Sequence, residues 1–242
     1  MKHKEAVEVL IKGYQKFPKY SGVIIKGLGY TEDKRTKAIY LKALKNTRST
    51  SIQKKCLVSL AFLKDNSVVS EVKPILNTNN SELKIYTLLV LARYNNREAV
   101  DKLLDYLIAG SRREQDIVGQ QILHRLRKSD QKYIAERTLN LPEKKAFYII
   151  SALRNVHHLP RGLGNILHKL LDQSKKVPLR SEIYKLIAEY VNTKKEVLPQ
   201  SVLYEAREKT DNVREKNILD NIISKMKKVE EKPDYVNQEG VR

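Results

Sequence analysis

The feature that most constrains the fold is a match of the chain with itself at a shift of 31 residues. Residues 52–76 align with residues 83–107 without a gap. Small and apolar positions coincide in the two copies, as in the pairs Leu57/Leu88, Leu60/Leu91, Ala61/Ala92, Val69/Val100 and Leu76/Leu107. A repeat of this length is one helical hairpin, which cannot bury its apolar face alone and must stack on copies of itself. The sequence therefore predicts an all-α fold, a right-handed α-solenoid of about seven helical hairpins with a C-terminal capping helix.

Each unit is expected to contain a first helix, a tight polar turn and a second helix. In the first copy the helices are predicted at 51–64 and 67–76, and in the second copy at 82–94 and 97–108. A later second helix is predicted to begin at Pro160, because proline is favoured in the first turn of a helix.

The units are expected to form one domain over residues 1–229. Residues 230–242 contain few apolar side chains, so they are predicted to be a flexible tail.

The matched pair resembles a HEAT-type repeat. Four features carry the resemblance. The first helix ends in small residues at Leu91-Ala92-Arg93, and a polar turn follows at Asn95-Asn96. The second helix opens with "EAV" at Glu98-Ala99-Val100 and has paired leucines at Leu103-Leu104. The resemblance is strongest over 51–110 and extends by pattern to about 30–225. It implies a scaffold that binds proteins or nucleic acids, with the second helices lining a concave face. The tetratricopeptide pattern has a similar period, but its Trp-containing signature is missing from a chain without tryptophan.

The chain is strongly basic, with 47 Lys and Arg against 28 Asp and Glu, a formal charge of +19. Residues 1–50 hold 12 basic and 4 acidic side chains, whereas residues 201–242 hold 9 of each. Such an excess attracts nucleic acid, anionic lipid or an acidic protein. The alternative interpretation is that lysine and arginine simply cover solvated helix faces.

Basic residues recur on the predicted second helices, where a repeat spacing would let them follow a phosphate backbone or an acidic partner. The candidates on these helices are Lys73, Lys102, Lys132, Arg137, Arg161 and Lys169. A second group comprises Arg112, Arg113, Arg125, Arg127 and Lys128.

No pattern in the sequence indicates catalysis, a cofactor or a metal site. Cys56 lies among apolar residues of a predicted helix and is interpreted as a buried small hydrophobe. His157 and His158 are adjacent and lack the ligand spacing of a zinc site. Gly162 and Gly164 are interpreted as positions of close packing. Some HEAT-like DNA glycosylases are short and basic, but their sites rely on Trp and Asp, and this chain has no Trp.

The function predicted from the sequence is a non-catalytic scaffold that binds a protein partner, expected to be acidic, on its concave face. The alternatives are a solenoid that binds DNA or RNA through phosphate contacts and, third, an alkylbase glycosylase. Steep loss of binding with salt would favour nucleic acid. The longest apolar run, 87–92, is too short for a transmembrane helix, so a soluble cytoplasmic protein, monomeric by default, is expected.

Overall fold

A computed structural model describes residues 2–29, 33–156, 160–194 and 201–230 of the 242-residue chain. Within these residues the secondary structure is helical and no β-strand occurs, which confirms the all-α class. The tail predicted at 230–242 lies outside the described residues except for Glu230, the last residue of the final helix.

The described part of the chain contains fourteen α-helices joined by short connections. They are α1 Lys2–Lys16, α2 Ser21–Gly29, α3 Lys37–Asn46, α4 Thr50–Phe62, α5 Val68–Val72, α6 Ser81–Arg93, α7 Arg97–Ala109, α8 Arg112–Asp116, α9 Lys128–Arg137, α10 Glu143–Leu153, α11 Leu163–Gln173, α12 Val177–Lys194, α13 Ser201–Lys209 and α14 Val213–Glu230. Short 3₁₀ segments lie at Pro18–Tyr20, Lys34–Thr36, Lys73–Asn77, Leu123–Arg125 and Thr138–Asn140, and a π-helical segment at Ile117–Ile122. The segment from Arg112 to Arg125 is therefore helical throughout but changes from α to π and then to 3₁₀.

The chain divides into two compact units, Met1–Asp130 and Gln131–Arg242. In the first unit, α2 packs against α4, α4 against α6, and α6 against both α7 and the π-helical segment. In the second unit, α10 packs against α12, and α12 against α14. Contacts between alternate helices therefore run along α2, α4 and α6 in the first unit and along α10, α12 and α14 in the second. The prediction of one continuous domain over 1–229 stays a prediction.

The self-match identifies positions that are buried in both copies. In α4 these positions are Leu57, Leu60 and Ala61, and in α6 they are Leu88, Leu91 and Ala92. Their spacing of three or four residues places them on one helix face. The shared apolar pattern thus corresponds to a shared core surface.

The second helix of the first copy differs from the prediction. It is α-helical only over Val68–Val72 and continues as a 3₁₀ segment over Lys73–Asn77. Pro74 accounts for the change, because it lacks an N–H group and its ring clashes with a carbonyl of the preceding turn. As a result Leu76 stays half-exposed, whereas its counterpart Leu107 in the continuous helix α7 is buried.

Side-chain caps fix the starts of the central helices. Asn80 accepts a hydrogen bond from the Leu83 amide at 3.2 Å, and Asn96 accepts one from the Ala99 amide at 2.9 Å. Each cap satisfies a backbone donor that the first turn leaves without an intrahelical partner. The caps therefore fix the residues at which α6 and α7 begin.

The helix predicted from Pro160 begins three residues later, at Leu163. Gly162 precedes it with φ +74°, a left-handed conformation that favours glycine. Residues 161 and 162 form a turn in place of the first helical turn.

Candidate binding surface

The eleven predicted basic residues divide between the two units. Seven lie in the first unit: Lys73, Lys102, Arg112, Arg113, Arg125, Arg127 and Lys128. Four lie in the second: Lys132, Arg137, Arg161 and Lys169. In the first unit a cavity is lined by one of the predicted residues, Lys102.

Two predicted arginines are engaged by carboxylates of the chain itself. Arg127 donates to both oxygens of Asp130, at 2.7 and 2.9 Å, and the Asp130 side chain is fully buried. Arg113 donates to Glu82, whose side chain is only 11% exposed. A carboxylate this inaccessible needs its cation partner. These two arginines are therefore interpreted as structural.

Lys102 forms an exposed pair with Glu98, one helical turn earlier in α7, at 2.6 Å. The hydrogen bond and charge of Lys102 lower the pKa of Glu98, and Lys73 contributes to the same shift. The two predicted lysines thus flank one carboxylate at the surface. An exposed pair of this kind contributes little to stability and is easily rearranged.

The remaining basic residues of the first unit are more dispersed. Arg112 is 82% exposed and lies 3.4 Å from Asp116. Arg125 donates to the Gln121 carbonyl on its own helical segment. Lys128 is exposed at the start of α9. The contacts of Arg112 and Arg125 are with residues close to them in sequence, and they do not bring the basic side chains together.

In the second unit the predicted residues are also exposed. Lys132 lies 3.9 Å from Glu136 on α9. Arg137, Arg161 and Lys169 lie at the surface of α9, the turn before α11, and α11.

A cavity of about 420 Å³ lies between the 3₁₀ segment Lys73–Asn77, α6 and α7. We call it the α6–α7 cavity, and its lining residues are Leu76, Lys84, Leu88, Lys102, Asp105, Tyr106, Ala109 and Gly110. Its volume falls within the range of small-ligand pockets, and its walls are mainly apolar with a few polar groups, as is usual for binding sites.

Helical periodicity brings these residues together. Lys84 and Leu88 are one turn apart on α6, and Lys102, Tyr106 and Ala109 follow one stripe of α7 at the same spacing. The neighbouring stripe of α7 is buried in the core through Val100, Leu103, Leu104 and Leu107. The cavity therefore lies at the border between core and solvent, on well-packed helices.

Gly110 closes one end of the cavity. A Cβ atom there would lie 2.5 Å from the carbonyl oxygen of Tyr106 and 3.1 Å from Cβ of Glu114. Only glycine fits such an approach without movement of the backbone. A larger residue at position 110 would therefore have to shift the end of α7 or the start of α8.

Lys84 is the functional candidate that sequence reasoning missed. It is half-buried on the cavity wall, and no described carboxylate lies within ion-pair distance of its ammonium group. It lies on a first helix, whereas the sequence argument considered the second helices. At the shift of 31, the positions equivalent to Lys84 are Gln53 and Gln115. A polar residue recurs at this position of the repeat, and that recurrence is a sequence signal that could have identified Lys84.

The polar groups of the cavity favour an anion with an apolar part. Tyr106 has a pKa raised by burial, with a further contribution from Glu114, so its hydroxyl is neutral and able to donate. Lys84 and Lys102 supply positive charge, and Asp105 is the acidic residue of the lining. The arrangement provides recognition groups and no nucleophile with an adjacent base.

A scan of the chain against protein-family models and a search of curated proteins both found no match. The HEAT-type resemblance accordingly stays a prediction that depends on the residues quoted for it.

The structure adds four observations on sites and segments considered in the sequence. Cys56 is buried, and burial raises the pKa of its thiol to about 12. His157 and His158 lie outside the described residues. Among the described side chains, no three His, Cys, Asp or Glu are grouped closely enough to bind a metal ion. None of the described helices is both long and apolar enough to span a bilayer.

Proposed function

We propose that this chain is a non-catalytic HEAT-type α-solenoid whose α6–α7 cavity binds an acidic protein segment. One apolar side chain of the segment would enter the cavity, and a neighbouring carboxylate would meet Lys84. The observation that carries the proposal is an apolar cavity of about 420 Å³ with a half-buried lysine on its wall that has no described carboxylate partner.

The repeat architecture is supported by spacing and packing together. Helices α4 and α6 begin 31 residues apart, as do α6 and α8, and α4 packs against α6. Solenoids are built from such contacts between equivalent helices of successive units. They commonly present binding surfaces formed by several units, which suits an extended partner segment.

The cavity alone would give weak binding. Burial of one Leu or Phe side chain is worth about 1.5–3 kcal/mol. A hydrogen bond to a charged group adds about 1.5–3 kcal/mol. The sum of these two free energies corresponds to a dissociation constant of about 1 mM, before the cost of ordering the segment is subtracted. The partner segment must therefore make further contacts, for which Lys102 on the cavity wall and Lys73 on the adjoining 3₁₀ segment are exposed.

Nucleic acid is the alternative partner. It would use exposed residues such as Arg112 and Lys128, and its binding would not need an apolar cavity. Two arginines predicted for that role, Arg113 and Arg127, already bind carboxylates of the chain. This consideration favours a protein partner over a phosphate backbone. A glycosylase activity is a third possibility, tested by release of free base from alkylated DNA.

The test compares two labelled probes by fluorescence anisotropy: a short peptide rich in Glu that carries Leu and Phe, and a short DNA duplex. We expect the peptide to bind, and its affinity to fall only modestly between about 50 mM and about 200 mM salt. Preferential binding of the duplex, with a loss of about 10³-fold or more over the same range, would contradict the proposal.

Two substitutions locate the binding. Lys84→Glu reverses the charge at the cavity wall, and Ala109→Phe fills the cavity from an exposed position of α7. Matched controls are Lys144→Glu and Ala38→Phe, which change exposed residues of α10 and α3. We expect the first pair to weaken peptide binding about tenfold or more and the controls to leave it unchanged. Equal effects of both pairs would contradict the assignment of the cavity.

A further inference from the structure

The large apolar side chains that stay exposed are concentrated near one end of the first unit. The described chain exposes Val9, Phe17, Tyr20, Val23 and Val213. Four of these five lie within the first 23 residues. Scattered exposed hydrophobics are ordinary, but a group close in sequence usually marks an interaction site.

Three of them, Phe17, Tyr20 and Val23, lie close in sequence where α1 is followed by the 3₁₀ segment and α2. All six residues from 15 to 20 are exposed, and Phe17 and Tyr20 lie on either side of Pro18, which opens the 3₁₀ segment. Val23 follows at the start of α2 and is 73% exposed. We call Lys16, Phe17, Lys19, Tyr20 and Val23 the basic–aromatic corner.

Lysines accompany the aromatic rings of the corner. The Lys16 ammonium lies 5.6 Å from the Phe17 ring centroid, and the Lys19 ammonium lies 5.0 Å from that of Tyr20. Residues 9–31 contain four lysines and no acidic residue. The exposed apolar groups thus stand in a locally positive field.

From this combination we infer that the basic–aromatic corner docks on an anionic lipid surface. Phe17, Tyr20 and Val23 enter the interfacial region, where aromatic rings are favoured. Lys16 and Lys19 extend their ammonium groups to anionic headgroups while their methylene stems stay beside the rings. The attachment is peripheral and uses side chains of one turn.

Other partners match this corner less well. A phosphate backbone would pair with Lys16 and Lys19 but offers nothing to Val23, the most exposed apolar residue of the group. A protein partner would need a concave surface shaped to six consecutive exposed residues, whereas a fluid lipid interface adapts to them. This inference is independent of the α6–α7 cavity.

The first test uses tryptophan as a reporter, since the chain has none. Tyr20→Trp places it in the corner, and Val213→Trp places it at an exposed apolar position of α14. The variants are mixed with vesicles of phosphatidylcholine containing about one quarter phosphatidylglycerol, or of phosphatidylcholine alone. We expect a blue shift of the Tyr20→Trp emission with the anionic vesicles only, and none for Val213→Trp. No shift, a shift on both vesicle types, or equal shifts for both reporters would overturn the inference.

The second test separates insertion from simple adsorption of a basic protein. Each basic residue near an anionic surface is worth a factor of about five, so Lys16→Glu/Lys19→Glu should lower vesicle affinity about 25-fold or more. The control Lys144→Glu/Lys145→Glu carries the same charge change at exposed residues of α10. Phe17→Ser/Tyr20→Ser should lower the affinity for anionic vesicles about tenfold, and Val213→Ser should leave this affinity unchanged. Equal losses for the two charge variants, or full binding by Phe17→Ser/Tyr20→Ser, would overturn the inference.

Discussion

The ammonium group of Lys54 in α4 donates to the carboxylate of Glu82 in α6 at 2.8 Å, across 28 positions of sequence. The same carboxylate accepts a hydrogen bond from Arg113 of α8. Hydrogen bonds from Lys54 lower the pKa of Glu82 despite partial burial, and Arg113 adds to the effect. One side chain therefore connects the starts of three equivalent helices.

Replacement of Glu82 by Ala should destabilise the fold by about 1–2 kcal/mol, because hydrogen bonds to charged groups are lost at a site that is 11% exposed. Glu98→Ala is the control, since Glu98 is 74% exposed in an i,i+4 pair. Glu98→Ala should leave stability almost unchanged, because an exposed ion pair contributes little. Urea unfolding measures both, and equal effects would show that Glu82 does not connect the helices energetically.

Glu215 gives the second prediction. It accepts hydrogen bonds from Arg180 at 2.6 Å, Tyr184 at 2.7 Å and Thr210 at 2.9 Å. Burial raises the pKa of Glu215, but these hydrogen bonds outweigh burial and the pKa lies below the ordinary value of 4.5. Glu215→Gln should therefore cost about 2 kcal/mol at neutral pH.

The pH dependence follows from that direction. A lowered pKa in the folded state gives stability that is present above pH 4.5 and is lost as the pH falls through the folded-state pKa. The free energy of unfolding of the wild type should thus fall more steeply below pH 4.5 than that of Glu215→Gln. Parallel curves for the two proteins in this range would contradict the assignment.

Cys56 provides a prediction on accessibility. Its side chain is fully buried in α4, and burial raises the pKa of the thiol to about 12. It should fail to react with a disulfide reagent at about pH 8 in the native protein and react promptly in urea. Rapid stoichiometric reaction of the native thiol would show that α4 opens far more readily than its packing indicates.

Two glycines should respond to alanine with opposite signs. Gly162 has φ +74°, so Gly162→Ala should cost about 1 kcal/mol. Gly13 lies inside α1, and an added Cβ would make an ordinary contact at 3.7 Å with Ile24. Gly13→Ala should stabilise by about 0.5–1 kcal/mol. Thermal unfolding of the two variants tests the pair of signs.

The sequence predicted the helices and the shared core positions well where the apolar period is regular. Leu57 and Leu88, matched at the shift of 31, are both buried. Prediction was poorer where one residue changes the backbone locally. Pro74 shortens α5, and the left-handed Gly162 makes α11 begin later than predicted. Both effects depend on backbone dihedral angles, which the spacing of apolar residues does not reveal.

The site was predicted only in part. Lys73 and Lys102 were selected from charge and helix position, and the structure places both near Glu98, with Lys102 also on the cavity wall. Lys84 was missed, because the cavity arises from the half-exposed Leu76 and from Gly110. A packing gap of this kind depends on three elements meeting, which a single periodic pattern cannot show.

The most direct test of the proposed function is a methyl NMR titration of protein labelled at Leu and Ala with the acidic, Leu- and Phe-containing peptide. The account predicts the largest shift changes at Leu76, Leu88 and Ala109, with Leu57, a buried residue outside the cavity lining, unchanged. The changes should disappear in Lys84→Glu. Shift changes confined to methyl groups away from the α6–α7 cavity, or none at peptide saturation of the anisotropy signal, would contradict the account.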